Sequence, residues 1–168
     1  MRSIRIAGAV AASLAVAACF GSVDVTKPPE IDNSNFMAAM VDGAEFRTSA
    51  IDVLREGGRI TVVAIEAEQK DNQAIIALYF PDGTAGTYAL GNRTVSGAVS
   101  GSYGQFAILP PTGVVWTTDA TQVGSVTITT LTAERIAGTF QFAALADSAS
   151  AAPQIKTVTT GTFAAKLN

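Results

Sequence analysis

Cys19 is the residue of this chain best placed for covalent chemistry. It closes the run Val16-Ala17-Ala18-Cys19 and is the only cysteine in 168 residues. Two small side chains directly before a cysteine are what a lipoprotein signal peptidase requires. Cleavage there would leave Cys19 as an N-terminus whose thiol can carry a diacylglycerol group. Arg2 and Arg5 supply a basic start, and residues 6–17 an apolar stretch of about a dozen, the length of a signal-peptide core. A bilayer-spanning helix needs about twenty apolar residues, so this stretch is short for that role. The expectation is a lipoprotein signal helix over residues 1–18, removed on maturation, with lipid attachment at Cys19. An ordinary secretory leader would leave the position of the sole cysteine to chance. Phe20 stands where an aspartate would favour the inner membrane, so in a cell with two membranes the outer one is favoured.

Other candidate chemistry is thinner. Glu66 and Glu68 would share one face of a strand about 7 Å apart, at a rise near 3.3 Å per residue. Paired carboxylates can serve a glycosidase or bind calcium. Gln69-Lys70-Asp71-Asn72 follow at once, which reads as a solvated strand end running into a turn. Asp42 and Asp82 each precede a glycine and are explained as turn residues. Tyr79, Tyr88, Tyr103 and Trp116 could form a stacking platform for sugars, since each ring offers area with a polar tip. Trp116, Tyr88 and Tyr103 are the ligand-binding candidates, with Trp116 foremost because the loop carrying Pro110-Pro111 precedes it. Packing within a sheet accounts for the same rings. Gly97-Ala98-Val99-Ser100-Gly101 places its serine one position late for a nucleophile elbow. Asn92-Arg93-Thr94 matches a glycosylation sequon that carries no meaning in a bacterial lipoprotein.

There is no histidine. That removes Ser-His-Asp and Cys-His mechanisms, histidine-ligated zinc and histidine acid–base work. No catalytic residue, metal site or cofactor is assigned, and the expectation is a protein that is not an enzyme.

Eleven basic against 14 acidic residues give a net charge of −3; without Arg2 and Arg5 the mature form would carry −5. The basic residues are scattered singly, which argues against nucleic acid as a partner. Loss of 18 residues would leave 150, enough for one domain with a proper core and no staples. With Cys19 lipidated no disulfide is possible, so packing and hydrogen bonds must hold the fold. Residues 19–35, which include Lys27-Pro28-Pro29-Glu30, read as an extended, solvated tether. The folded domain is expected over residues 36–168.

Within it the pattern is strand-like. Strands are expected near 36–40, 45–49, 59–68, 74–80, 86–90, 95–106, 114–118, 125–131, 135–145 and 156–167. Asp42-Gly43, Gly57-Gly58 and Asp82-Gly83 lie at the joins, where residues tolerant of positive φ suit tight hairpins. Ile136, Gly138, Phe140 and Phe142 alternate with Thr139 and Gln141, and Val126 and Ile128 with Thr127 and Thr129. One apolar and one threonine-rich face mark antiparallel sheet with one wet side. Residues 75–80 lack alternation, as a strand covered on both faces would. Three segments echo each other: Gly86-Thr87-Tyr88, Gly138-Thr139-Phe140 and Gly161-Thr162-Phe163. Each leaves room for a ring over bare backbone, which reads as core architecture.

From residue 36 onward the chain resembles a family of small bacterial lipoproteins defined only as a domain of unknown function. The resemblance lies in residues 36–46, in Gly86-Thr87-Tyr88-Ala89-Leu90-Gly91, and in the segments 124–129, 136–142 and 159–163. It implies the fold and a lipid anchor, and carries no activity or site residues. The expected fold is all-β: an antiparallel β-sandwich of about eight to ten strands, with a lipocalin-like closed β-barrel as the alternative. The expected function is a non-enzymatic binding or structural lipoprotein of the cell envelope, held to the membrane by its N-terminal lipid, its protein or glycan partner open. The competing reading is a carrier of a small apolar ligand or sugar, in a barrel or on a sheet face.

Overall fold

Six of the ten strand pairs join chain neighbours in the computed structural model, which describes residues 35–66, 71–91, 101–147 and 153–167. Among the described residues every regular element is a strand: β1 (Phe36–Val41), β2 (Ala44–Thr48), β3 (Ile51–Glu56), β4 (Arg59–Ile65), β5 (Ala74–Pro81), β6 (Gly86–Leu90), β7 (Tyr103–Ile108), β8 (Val114–Thr117), β9 (Gly124–Leu131), β10 (Arg135–Ala146) and β11 (Ile155–Lys166). All pairs are antiparallel. They run in the order β2-β1-β11-β10-β8-β7-β5-β4-β3, with β9 against β10 and β6 against β9. The two ends of that path, β2 and β3, are joined only by Ser49 and Ala50. The junction is tied to β4: Ile65 N–H donates to the Ala50 carbonyl at 3.0 Å, and the Thr48 hydroxyl to the Ile65 carbonyl at 2.7 Å. The sheet therefore curls round until its ends nearly meet. Of the two antiparallel arrangements weighed from sequence, this single sheet is the barrel.

Eleven segments fill eight courses. β8 and β9 follow one another along β10, at Leu145–Ala146 and then at Ile136–Phe142. β7 and β6 flank them in turn. β2 and β3 form the third broken course, and β3 has no counterpart among the expected strands. Its outward Leu54 is 56% exposed, and Arg55 and Glu56 are exposed too, so its alternation decays after Val53. The turn does declare itself: Gly57 and Gly58 both adopt positive φ, 60° and 74°, as a two-residue hairpin requires. The strand expected over 95–106 lies partly outside the described residues; its described part is β7, running on to Ile108.

Every strand sends at least one side chain into a single buried cluster, from Met37 and Phe46 through Leu78, Phe106 and Trp116 to Phe142 and Phe163. Trp116, Phe80, Phe163 and Met37 are the largest of the fully buried groups. On β5, Ile76, Leu78 and Phe80 point inward and are completely buried. Ala77 on its outer side is only 5% exposed, while Ile75 and Tyr79 are half-buried.

The two late Gly-Thr-Phe segments turn out to be mates. β10 and β11 pair Gly138 with Phe163, Thr139 with Thr162 and Phe140 with Gly161. Each phenylalanine thus lies over the other strand's glycine, and the rings meet at 6.2 Å. A Cβ on Gly161 would stand 2.6 Å from the Phe140 ring. One on Gly138 would stand 2.4 Å from the Thr127 carbonyl oxygen and 3.2 Å from Phe163. Gly124 is tighter still, 2.2 Å from the Gln141 carbonyl oxygen. Backbone cannot retreat as a side chain can. Gly138→Ala should therefore lower stability by roughly 3 kcal/mol, the upper part of the usual overpacking range, in chemical denaturation. Gly83→Ala, which meets only the Tyr88 hydroxyl end at 2.9 Å, should cost much less. The Gly161→Ala loss should shrink when Phe140→Leu is combined with it, and strict additivity would refute the ring-on-glycine contact.

Candidate functional site

Cys19 lies outside the described residues, as do Glu68, residues 97–100 and the sequon at 92–94. The aromatic candidates are described, and the fold does not bring them together. Trp116 is buried inside the barrel, 2% exposed, its ring 5.7 Å from that of Phe106 and its indole N–H donated to the Pro153 carbonyl at 2.8 Å. Tyr88 points inward against Phe80, at 5.6 Å, and its hydroxyl is donated to the Thr84 carbonyl. Tyr103 faces outward but stacks flat on Tyr79, with centroids 4.1 Å apart. These rings hold a wall and an interior together. Strand periodicity placed them in strands; which face each one took depended on register.

The carboxylates serve structure as well. Glu66 directly follows β4, and its carboxylate accepts the Ala74 N–H at 3.3 Å across the mouth of the following turn. Asp82 pairs with Arg55 at 2.6 Å. Asp119 folds the loop between β8 and β9, accepting the N–H groups of Thr121 and Gln122 and the Thr121 hydroxyl at 2.6–2.8 Å. The Gln122 bond leads in holding its carboxyl below the usual value, with the two Thr121 bonds adding to it. Among the described residues no three Asp, Glu, His or Cys side chains gather where they could hold a metal ion.

One polar cluster seals a barrel end. The Lys156 ammonium lies 2.7 Å from Asp42 and 5.7 and 5.5 Å from the centres of the Phe106 and Trp116 rings. Asp42 also accepts the Thr157 N–H at 2.8 Å, while its own N–H is donated to the Thr157 carbonyl at 2.9 Å. A cation over two aromatic faces is held by their quadrupoles and here also excludes water from them. Sequence reasoning placed Asp42 in a turn, which is where it stands, with φ 49°. The ion pair spans 114 positions of chain and left no local trace.

The outer wall has two unlike sides. Across β4, β5, β7 and β8 a shallow groove is lined by Val63, Ile75, Ala77, Ala107 and Val115, with Tyr79, Gln105 and Asp147 around it. Across β9, β10 and β11 a second groove is lined by Ser125, Thr127, Thr139, Gln141, Thr160 and Thr162, over a floor of Phe140 and Gly161. The second side is the threonine-rich face that alternation foretold.

A family model for a domain of unknown function (DUF6252) matches residues 33–165. The chain belongs to that family. No curated protein and no solved structure gives a significant match. The barrel, its packed interior and its two unlike outer faces are accordingly what this DUF6252 domain offers for a functional reading.

The pH dependence of the end seal is testable. Burial by itself would raise the Asp42 pKa, but the hydrogen bonds from Lys156 and Thr157 and the Lys156 charge outweigh it and hold it low. A carboxylate with a depressed folded pKa stabilises the fold above its unfolded pKa, near 3.9, and that contribution is lost as pH falls through the folded value. Asp42→Asn should therefore destabilise the protein near pH 7. The gap from wild type should close as pH falls below about 4. Denaturation curves at pH 7, 5 and 3 read it, and a gap constant with pH would show that the ion pair does not contribute.

Proposed function

We propose that this chain is a cell-envelope lipoprotein, anchored through Cys19, whose barrel is a solid, non-enzymatic binding or structural module working through its outer surface. The packed interior carries this reading. Leu78, Phe80, Phe106, Trp116, Phe142 and Phe163 occupy the volume in which a carrier of the lipocalin kind would hold its ligand. The Lys156–Asp42 pair and the Trp116–Pro153 bond cover one end of it. An interior packed in this way favours a scaffold over a carrier, because entry of a ligand would require ejecting buried rings at several kcal/mol each.

The anchor rests on the sequence. The basic start, the apolar core, the small residues before Cys19 and the absence of any other cysteine support it. Two acyl chains already suffice for stable anchoring at about 0.8 kcal/mol per buried methylene, and a lipidated N-terminal cysteine carries at least that many.

Expression of the full chain in a bacterial host with labelled palmitate tests the anchor. Wild type should take up label and sediment with membranes, while Cys19→Ala should lose the label and appear in the soluble fraction. Label that persists in the variant would overturn the lipoprotein reading. Titration of the purified protein with an environment-sensitive apolar dye separately tests the scaffold. It should give no saturable one-to-one binding; a stoichiometric, tight site would make the protein a carrier.

A further inference from the structure

We infer that the groove on the outer face of β9, β10 and β11 is a binding site for an uncharged, polyhydroxylated ligand, a neutral glycan chain. The inference gives a ligand class to the outer surface proposed above as the working part of the barrel. It is independent of the lipid anchor.

Register supplies the first observation. Thr87 on β6 pairs with Thr127 on β9, Thr127 with Thr139 on β10, and Thr139 with Thr162 on β11. Four threonines thus stand in one row across four neighbouring strands, at intervals of roughly 4.8 Å. The central threonines of all three Gly-Thr-aromatic segments lie in it. The next row reads Ala89, Ser125 and Gln141, then the irregular step of β11 at Thr159 and Thr160. Neither row holds an ionisable group, in a chain of which 15% is charged. No opposite charge in the groove would offset a carboxylate, phosphate or ammonium brought out of water.

The second observation is concavity with available polar atoms. Ser125, Thr139, Thr160, Thr162 and the Gln141 amide converge on the depression, and among the described residues none has a side-chain hydrogen-bond partner. Each hydroxyl offers one donor and two acceptor sites, and the amide offers both kinds. Sugar hydroxyls have the same dual character. Threonine methyls give the floor an apolar component for the C–H faces of a pyranose.

The third is Thr160 itself. It is β-branched yet adopts φ 48°, in the left-handed region that such residues avoid. It sits where β11 loses register against both β1 and β10. A bulge re-aims a side chain, and a strained non-glycine residue is retained against a cost of order 1–3 kcal/mol. Glycine would fill the position without strain. What it would lack is the hydroxyl that lines the groove.

Native gel electrophoresis of the purified full chain through gels containing soluble neutral polysaccharides tests the site. The panel would be a mixed-linkage glucan, a galactomannan, a xylan, a dextran and a starch, with alginate as the anionic control. At least one neutral polymer should retard the protein and alginate should not. Thr139→Val/Thr162→Val keeps shape and strand propensity, so its melting temperature should stay near wild type while affinity falls about tenfold. Thr61→Val on the opposite wall should leave retardation unchanged. Thr160→Gly should raise the melting temperature and still weaken retardation, a pairing that a merely structural threonine would not produce. Failure of every neutral polymer to retard the protein would overturn the inference. So would retardation unchanged in the double valine variant, or a self-association abolished by that variant, which would assign the face to a second copy of the chain. None of these outcomes bears on palmitate labelling, so the anchor stands or falls separately.

Discussion

Two rings lying on two glycines hold the centre of this barrel. β10 and β11 are its longest strands, twelve residues each, and they meet through Gly138–Phe163 and Phe140–Gly161. A side chain at either glycine would lift the facing ring off the backbone. The rings could then no longer fill the space between the walls. Phe142 repeats the device over Gly104 on β7, where a Cβ would stand 2.8 Å from the ring. A narrow barrel leaves little room inside, and glycine lets aromatic volume enter without forcing the strands apart. Because the contact is reciprocal, it also sets the register of the two strands, and the inward or outward sense of every residue along them follows.

That register has consequences on both faces. Inside, it places Phe140, Phe142 and Phe163 in one buried cluster to which every other strand also contributes, so the interior is a packed core. Outside, the same pairing sets Thr139 opposite Thr162, and β9 and β6 extend the row to Thr87. The packing that fills the interior thus builds the row of hydroxyls on the wall behind it. The opposite wall is apolar, with Tyr79 stacked on Tyr103 beside Val63, Ile75 and Ala107. A filled centre and two unlike sides are the features on which the proposed surface recognition rests.

Much of the fold was legible locally. Alternation over 125–131, 135–145 and 156–167 marked both the strands and their wet face, because a period of two is a property of any extended chain. The glycines at 57 and 58 marked a hairpin, because only such residues accept two positive φ angles in succession. β3 escaped because its exposed Leu54 and its Arg55-Glu56 end erase the alternation; pairing with β4 is what makes it a strand. Trp116 read as a ring near a rim, yet it is enclosed by Phe106, Lys156 and Pro153, contacts from three other parts of the chain. The hydroxyl groove was half visible: the threonines were plain, but the row they form requires four strands in register.

The sequence by itself determined every described strand but β3, the wet and dry faces of the late strands, the tight turns and the candidate anchor at Cys19. Each of these depends on residues within a few positions of one another. Only the tertiary structure decided that the sheet curls into a barrel, that the barrel is full, and that the Gly-Thr-Phe segments embrace each other. It also decided that a lysine 114 positions from an aspartate seals one end. Those outcomes depend on which strand meets which, and at what offset. Hydrogen-bonded ladders look alike at every register until side-chain volume selects one.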